Sequence, residues 1–167
     1  MLIRTEAPAD ILPIQQLIKQ AFPTHAEAEL VSRLMENGQR TLSLVACSDE
    51  GEVVGYILFS PVTLEQQDYN WQGLAPLAVK EEYRGQGIAS ELIKEGLSSL
   101  AELGYPACVV LGEPEFYGRF GFESAAKYGM DTQWELPEGA FQIQELMEGE
   151  LDGKSGKIFY SQEFSEL

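Results

Sequence analysis

The most informative part of the sequence is Leu74-Ala-Pro-Leu-Ala-Val79-Lys-Glu-Glu-Tyr-Arg84-Gly-Gln-Gly87-Ile-Ala89, in which an apolar run ends in a glycine-containing turn. The pattern predicts a strand, a turn and the start of a helix. Gly85 and Gly87 have no Cβ, so the chain can bend sharply and let an anion approach the backbone amides. A helix N-terminus adds unpaired N–H groups and the positive end of its dipole. With the cation of Arg84 beside it, the turn predicts a pyrophosphate site.

Two common phosphate-binding motifs are absent from the sequence. The chain contains no Gly-x-x-x-x-Gly-Lys-Ser/Thr, the loop that binds nucleoside triphosphates. The dinucleotide motif also fails, because Ser90 stands where a third glycine or alanine is needed and no second nucleotide-binding half is present. The pattern that fits is Arg/Gln-x-x-Gly-x-Gly/Ala, supplied by Arg84, Gly87 and Ala89. Six residues alone would equally suit a glycine-rich turn without a ligand.

A second block supports a ligand-binding role. It reads Ala107-Cys-Val-Val-Leu111-Gly112-Glu-Pro-Glu-Phe116-Tyr117-Gly-Arg119-Phe-Gly121-Phe122 and predicts a strand, a short helix and a Gly-Phe turn. Joined by one amphipathic helix, the two blocks resemble the coenzyme-binding core of the GNAT N-acetyltransferase superfamily, in its YhbS-like branch. This resemblance covers about residues 71–123, and shorter similarity extends to most of the chain.

The resemblance implies acetyl-CoA as co-substrate. In the family, two neighbouring parallel strands splay apart, and the pantetheine arm pairs with the freed strand edge. Carried to this chain, the resemblance implies that the splay lies between residues 74–79 and 107–111. The alternative is an ordinary pair of core strands, which would have the same apolar side chains. Pro76 cannot donate to a strand ladder, which independently predicts a bulge or a break in pairing. The implied coenzyme-binding residues are Leu77, Ala78, Val79, Arg84, Gly85, Gln86, Gly87, Ile88 and Ala89.

The resemblance also implies that Tyr117 protonates the coenzyme A thiolate as it leaves. A tyrosine hydroxyl, with an ordinary pKa of about 10, is mostly protonated at neutral pH and can act as the acid. The alternative is a core aromatic residue beside Phe116 and Phe120. Many relatives carry an Asn before the Phe-Tyr pair, where this chain has the shortened link 112–114, so the resemblance does not carry the coenzyme contact of that Asn over to this chain.

The general base stays open. Residues 71–79, where several relatives keep an acidic residue, contain none. Glu27 is the candidate catalytic residue for deprotonating the amine, and Glu29, His25, Glu113 or water are alternatives. Glu27 also fits as the partner of Thr24 in a helix-capping box, and His25 also fits as a surface residue.

Composition narrows the functional class. A length of 167 residues predicts one domain, 1–167. The resemblance implies that it is an N-acetyltransferase domain with its coenzyme-binding core at about 71–123. The sequence lacks the ~18 to 20 apolar residues of a membrane helix and a secretion signal, so we expect a cytoplasmic protein without a membrane partner. A net charge of −16 argues against nucleic acid as a partner. The charge favours a cationic or neutral acceptor, or, alternatively, only keeps the protein soluble. Cys47 and Cys108 fall in predicted strands and His25 is the only histidine, so no metal site is expected.

Periodicity predicts an α+β fold, with an α/β mixed sheet. Helices are expected from residue 9 or 10 to 22, over an apolar stripe from 30 to 35, and from 88 to 100. Residues 65–70 are expected to turn and 123–140 to be irregular. The strand, helix and strand around the glycine turn predict a parallel pair with a right-handed crossover. The resemblance implies the single-domain GNAT acyl-CoA N-acyltransferase fold, a splayed central mixed β-sheet flanked by helices. Strands are expected at residues 2–4, 42–47, 53–62, 71–79, 107–111, 141–146 and 157–160.

The resulting hypothesis is an acetyl-CoA-dependent N-acetyltransferase in which a neutral primary amine attacks the thioester directly. The competing hypothesis is a non-catalytic acyl-CoA-binding or interaction protein on the same scaffold. Tyr117 favours the enzyme, and the lack of an obvious base favours the binding protein. The expected acceptor is a small-molecule or peptidic amine, and the sequence is compatible with a monomer or a homodimer.

Overall fold

The computed structural model describes residues 1–166 and contains nine strands and four α-helices within them. Short 3₁₀ turns lie at Pro8–Asp10, Glu81–Tyr83, Ala125–Tyr128 and Gln162–Glu166. The helices are α1 (Ile11–Ala21), α2 (Ala26–Glu36), α3 (Ile88–Glu102) and α4 (Pro114–Gly118). The strands are β1 (Leu2–Thr5), β2 (Leu42–Cys47), β3 (Val53–Leu64), β4 (Gln67–Val79), β5 (Ala107–Leu111), β6 (Glu123–Ser124), β7 (Met130–Thr132), β8 (Phe141–Glu145) and β9 (Gly156–Tyr160).

Contacts divide the chain into two compact units, the first made of residues 1–59, 75–96 and 162–166 and the second of residues 60–74 and 97–161. In the first unit, β1 pairs antiparallel with β2, and β2 pairs antiparallel with β3. Apolar faces of α1 and α2 are buried, as the helical periodicity predicts, and they consist of Ile14, Leu17, Ile18, Ala28, Leu30, Val31 and Leu34.

Helix α3 lies close against β3 because two glycines leave room for it. A Cβ at Gly55 would come within 2.9 Å of Ile88 Cγ2, and a Cβ at Gly96 within 2.6 Å of the Phe59 ring. The absence of side chains at these positions therefore fixes how closely the N-terminal half of α3 packs on the sheet.

In the second unit, β4 pairs parallel with β5, and β5 pairs antiparallel with β8. Strand β6 pairs antiparallel with β8. Strand β9 pairs antiparallel with β3 and parallel with β7. The strand order β1-β2-β3-β4-β5-β8-β6 combines antiparallel and parallel neighbours. The α+β class, the mixed sheet and the parallel β4–β5 pair are thus confirmed. In the part of the chain that the structure describes, no helix is long and apolar enough to cross a membrane.

Three local predictions were wrong. The turn before β4 is the two residues Glu65 and Gln66, both with positive φ (48° and 68°), so residues 67–70 belong to the strand. Helix α2 begins at Ala26 with His25 at its N-cap, so the capping box does not form; instead the Thr24 hydroxyl accepts from the Ala26 N–H. Residues 123–140 are not wholly irregular, since β6, β7 and a 3₁₀ turn form there.

Candidate active site

The turn between β4 and α3 has the backbone conformation that the glycines predict. Gly85 has φ +78° and Gly87 has φ +83°, a region that residues with side chains rarely adopt. Both residues are exposed, and a Cβ added to either would meet no heavy atom within 4 Å. Open space therefore lies directly in front of this turn.

The same turn contains backbone N–H groups that have no hydrogen-bond partner among the described residues. The Gly87 carbonyl accepts from the Glu91 N–H at 3.0 Å, which makes Gly87 the residue before the first turn of α3. The N–H groups of Gly87, Ile88, Ala89 and Ser90 consequently have no acceptor within the helix. Those of Gly85 and Gln86 donate no hydrogen bond within residues 1–166. An anion placed here would receive several N–H donors and the positive end of the helix dipole.

Two cations lie near the turn, but their surroundings differ. Lys80 forms ion pairs with both Glu52 and Glu82. Arg84 donates from Nε to the Val79 carbonyl at 3.0 Å, and its two terminal nitrogens have no hydrogen-bond partner in the described chain. Arg84 is therefore the cation available to an anion at the turn.

The C-terminal end of β4 offers a second set of backbone groups. The Lys80 N–H donates to the Val54 carbonyl of β3 at 2.8 Å. Because successive residues of a strand point their backbone groups to alternate edges, those of Leu77 and Val79 face the opposite edge of β4. The Val79 carbonyl already accepts from Arg84. The side chains of Leu77 and Val79 are half-buried, whereas Ala78 is buried.

The pairing of β4 with β5 is short. It joins Gln72 to Cys108, Gly73 to Val109 and Leu74 to Val110, and among the described residues it continues no further. The predicted break in pairing near Pro76 is thus confirmed, and Pro76 has no N–H with which to extend the ladder.

Tyr117 lies in α4, in the second unit, within a group of aromatic rings. Its ring meets the Phe116 and Phe122 rings edge to face, with centroids 5.0 Å and 5.9 Å away. A side chain at Gly112 would overlap the Tyr117 ring, so the glycine admits it. The residue is half-buried, and its hydroxyl makes no hydrogen bond within the part of the chain described. Packing therefore fixes the position of the ring.

Burial controls the protonation of Tyr117 and of its neighbour Cys108. Burial, and secondarily the charge of an ionised Cys108, raises the pKa of Tyr117 to about 12. Burial also raises the pKa of the Cys108 thiol, which is completely buried in β5. At neutral pH the phenol holds its proton and can donate it, whereas the thiol is a poor nucleophile.

Comparison with known proteins identifies the family. Residues 11–122 match the model of the Acetyltransferase (GNAT) family. The chain belongs to the GNAT family of acetyltransferases. It is 49% identical to the uncharacterized N-acetyltransferase YhbS of Escherichia coli K12 over 165 residues, 99% of both proteins. It is 37% identical to the uncharacterized N-acetyltransferase YjhQ of the same organism over 135 residues, covering 78% of this chain and 74% of YjhQ.

Two solved GNAT structures are similar along nearly the whole chain. The structure of Escherichia coli YhbS in complex with CoA matches with a TM-score of 0.94 and 49% identity, covering 98% of this chain and 91% of that one. A GNAT acetyltransferase of Brucella melitensis in complex with acetyl-CoA matches with a TM-score of 0.82 and 34% identity, covering 98% and 97%. The GNAT fold implied by the sequence is confirmed.

The candidate general bases of this GNAT protein lie in two parts of the chain. Glu27 is half-buried in the first turn of α2, where it accepts from the Thr24 hydroxyl at 3.3 Å. His25 and Glu29 are exposed beside it, and Glu29 pairs with Arg33. These residues belong to the first unit, together with the glycine turn and residues 75–79, whereas Glu113 and Tyr117 belong to the second.

Sequence reasoning missed several polar and aromatic contacts. The Glu6 carboxylate is buried and accepts from Arg40 and from the hydroxyls of Ser43 and Tyr56. Tyr160 packs on Gly73. No signal in a single sequence links residues so far apart along the chain. Residues 1–166 place no group of three His, Cys, Asp or Glu side chains where they could hold a metal ion.

Proposed function

We propose that this GNAT protein transfers the acetyl group of acetyl-CoA to a primary amine by direct attack of the neutral amine on the thioester. The observation that carries the proposal is the exposed glycine turn at the start of α3, whose N–H groups have no partner among residues 1–166 and which has open space beside Gly85 and Gly87. The CoA complex of YhbS and the acetyl-CoA complex of the Brucella relative support acetyl-CoA as the co-substrate.

The coenzyme would bind along β4 and the turn. The pyrophosphate takes the N–H groups of Gly85, Gln86, Gly87, Ile88 and Ala89 and the guanidinium of Arg84. The pantetheine arm pairs with the free β4 edge at Leu77 and Val79, with buried Ala78 holding the strand. An N–H at Leu77 would polarise the thioester carbonyl as negative charge develops on its oxygen.

The reaction forms a C–N bond and breaks the C–S bond. Tyr117 gives its proton to the departing thiolate, and the amine loses one proton before attack and another as the amide forms. Glu27, directly or through water, accepts the first proton from the amine, and the second proton restores the neutral Tyr117 phenol. Cys108, which is buried and has its pKa raised by burial, takes no part, and the proposed transfer has no acetyl-enzyme intermediate.

The proposal also covers the charge of the acceptor amine and the cellular location of the protein. A net charge of −16, with exposed Asp131 and Glu135, favours an amine that arrives as a cation. We place the protein in the cytoplasm, as a single domain without a nucleic-acid partner. Both cysteines are free, which suits a reducing compartment.

The pH dependence of turnover tests this chemistry. Release of coenzyme A thiol in the presence of an alkylamine, measured between about pH 6 and pH 11, should rise throughout as the amine, whose pKa is about 10.4, loses its proton. Tyr117 should cause no fall in this range, because an acid whose pKa is raised to about 12 stays protonated below that pH. A decline set by a group with a pKa near 8 or 9 would contradict Tyr117 as the acid. Failure of every amine to release thiol would favour a non-catalytic acyl-CoA-binding protein.

A further inference from the structure

A tyrosine and a tryptophan of the second unit form a fixed aromatic pair. Tyr160 lies on β9 and Trp134 follows β7, with ring centroids 5.3 Å apart and planes inclined by 60°. The Tyr160 N–H donates to Gln133 Oε1 at 2.9 Å, and β7 and β9 are hydrogen-bonded neighbours. Tyr160 is buried, whereas Trp134 is only half-buried. The tryptophan therefore has surface free for a ligand.

Gly73 is what admits the Tyr160 ring. A Cβ at Gly73 would lie 2.7 Å from Tyr160 Cε2 and 2.9 Å from Val62 Cγ1, so no larger residue fits without moving them. Gly73 pairs with Val109, and the β4–β5 ladder ends at the next residue, Leu74. The ring thus covers β4 where its pairing with β5 ends, which is where the resemblance implies the start of the splay.

The pKa values of the Tyr160 and Tyr117 phenols are raised by the same two causes, burial and the charge of an ionised Cys108. Its oxygen is buried, and burial is the main reason why its pKa is well above the usual value. Ionised Cys108 and ionised Tyr117 raise that pKa further, because both groups are near enough for their charges to act on it. The Tyr160 phenol is therefore neutral and lies within range of the charge of Tyr117.

We propose that Trp134, backed by the buried Tyr160 ring, forms the wall of the acceptor site and selects a primary amine carried on an apolar stem, such as a long alkylamine or an arylalkylamine. This proposal rests on the proposed function, since the wall has this role only if an amine reacts near Tyr117. Aromatic faces pack well against methylene groups and attract ammonium groups. The exposed carboxylate of Glu135, next to Trp134, adds negative charge at the rim. Trp134 determines specificity, Tyr160 positions the Trp134 ring, and neither takes part in proton transfer.

The test compares Trp134→Ala with the wild-type full chain, using acetyl-CoA and the series ethylamine, hexylamine and phenethylamine. Loss of the indole should lower kcat/KM for hexylamine and phenethylamine about tenfold, mainly through KM, because a buried aromatic contact is removed. For ethylamine, which is too short to cover the ring, kcat/KM should stay within about twofold. Trp134→Phe should recover most of the loss.

A matched control is Tyr69→Ala, which removes another half-buried ring that packs on a tryptophan, Trp71, at 5.6 Å. This variant should leave discrimination between the amines unchanged. An equal fall for all three amines in Trp134→Ala, or no fall for the long ones, would overturn the wall assignment while leaving the proposed function in place.

A binding measurement separates the two proposals if the wild type acetylates none of the amines. Hexylamine is then titrated into the CoA-loaded protein while tryptophan fluorescence is recorded. The chain has two tryptophans, of which Trp71 is buried and bonded to Glu150. A saturable change that Trp134→Ala removes would support the wall although the proposed function had failed. The absence of any saturable change would overturn the wall as well.

Discussion

Replacing Gly87 with Glu is expected to weaken acetyl-CoA binding by more than about 100-fold while the protein stays folded. Gly87 has φ +83° and faces open space, so the new side chain would project into the proposed pyrophosphate site. Two unit charges about 5 Å apart repel each other by about 3 kcal/mol at an effective dielectric constant of about 20. Each 1.4 kcal/mol changes the dissociation constant about tenfold. Isothermal titration calorimetry with acetyl-CoA measures the effect.

The matched control is Gly38→Glu. Gly38 follows α2 and has φ +70°, and a Cβ added there would likewise meet no heavy atom within 4 Å. It therefore bears the same backbone cost of about 1–2 kcal/mol and the same added charge, away from the glycine turn. We expect Gly38→Glu to bind acetyl-CoA normally. Normal affinity in Gly87→Glu would show that the turn does not hold the coenzyme.

Tyr117→Phe is expected to lower kcat by about 10- to 100-fold while the dissociation constant of acetyl-CoA changes less than about twofold. General acid catalysis contributes ~10²- to 10⁴-fold, and a thiol with a pKa of about 8.5 leaves fairly well unaided, so the effect belongs at the low end. The ring stays in place because its contacts with Phe116, Phe122 and Gly112 do not involve the hydroxyl. Steady-state kinetics and calorimetry together separate the two effects.

Tyr128→Phe is the control for loss of a phenol in the second unit. The Tyr128 hydroxyl bonds to the Glu123 carboxylate, and we assign it no part in the reaction. Wild-type kcat is expected for this variant. The same result for Tyr117→Phe would make Tyr117 a packing residue alone, whereas a proportional loss of acetyl-CoA affinity would make it a binding residue.

Local signals predicted the part of the fold that surrounds the glycine turn. Positive φ at Gly85 and Gly87 follows from glycine chemistry, and the start of α3 follows from its apolar spacing. The predicted start of β4, at residue 71, was wrong because the polar residues 67–70 suggested a turn. The actual turn uses left-handed Glu65 and Gln66, neither of which is a residue typical of that conformation.

Contacts between distant segments could not be predicted from one sequence. Gly73 looks like any strand glycine until the Tyr160 ring is seen against it. Likewise, Glu6 is an ordinary acidic residue until Arg40, Ser43 and Tyr56 are found around its carboxylate. The raised pKa of Tyr117 has the same origin, because burial depends on packing that the motif does not specify.

Direct acetyl transfer is tested most sharply by following the acetyl group itself. The protein is mixed with isotopically labelled acetyl-CoA, first alone and then with hexylamine, and thiol release, labelled protein and labelled amide are measured by mass spectrometry. We expect no thiol release and no labelled protein before the amine is added, and afterwards one N-acetylhexylamine for each thiol released. An acetyl group on Cys108 or elsewhere on the protein before the amine is added, or thiol release that does not depend on an amine, would contradict the direct mechanism.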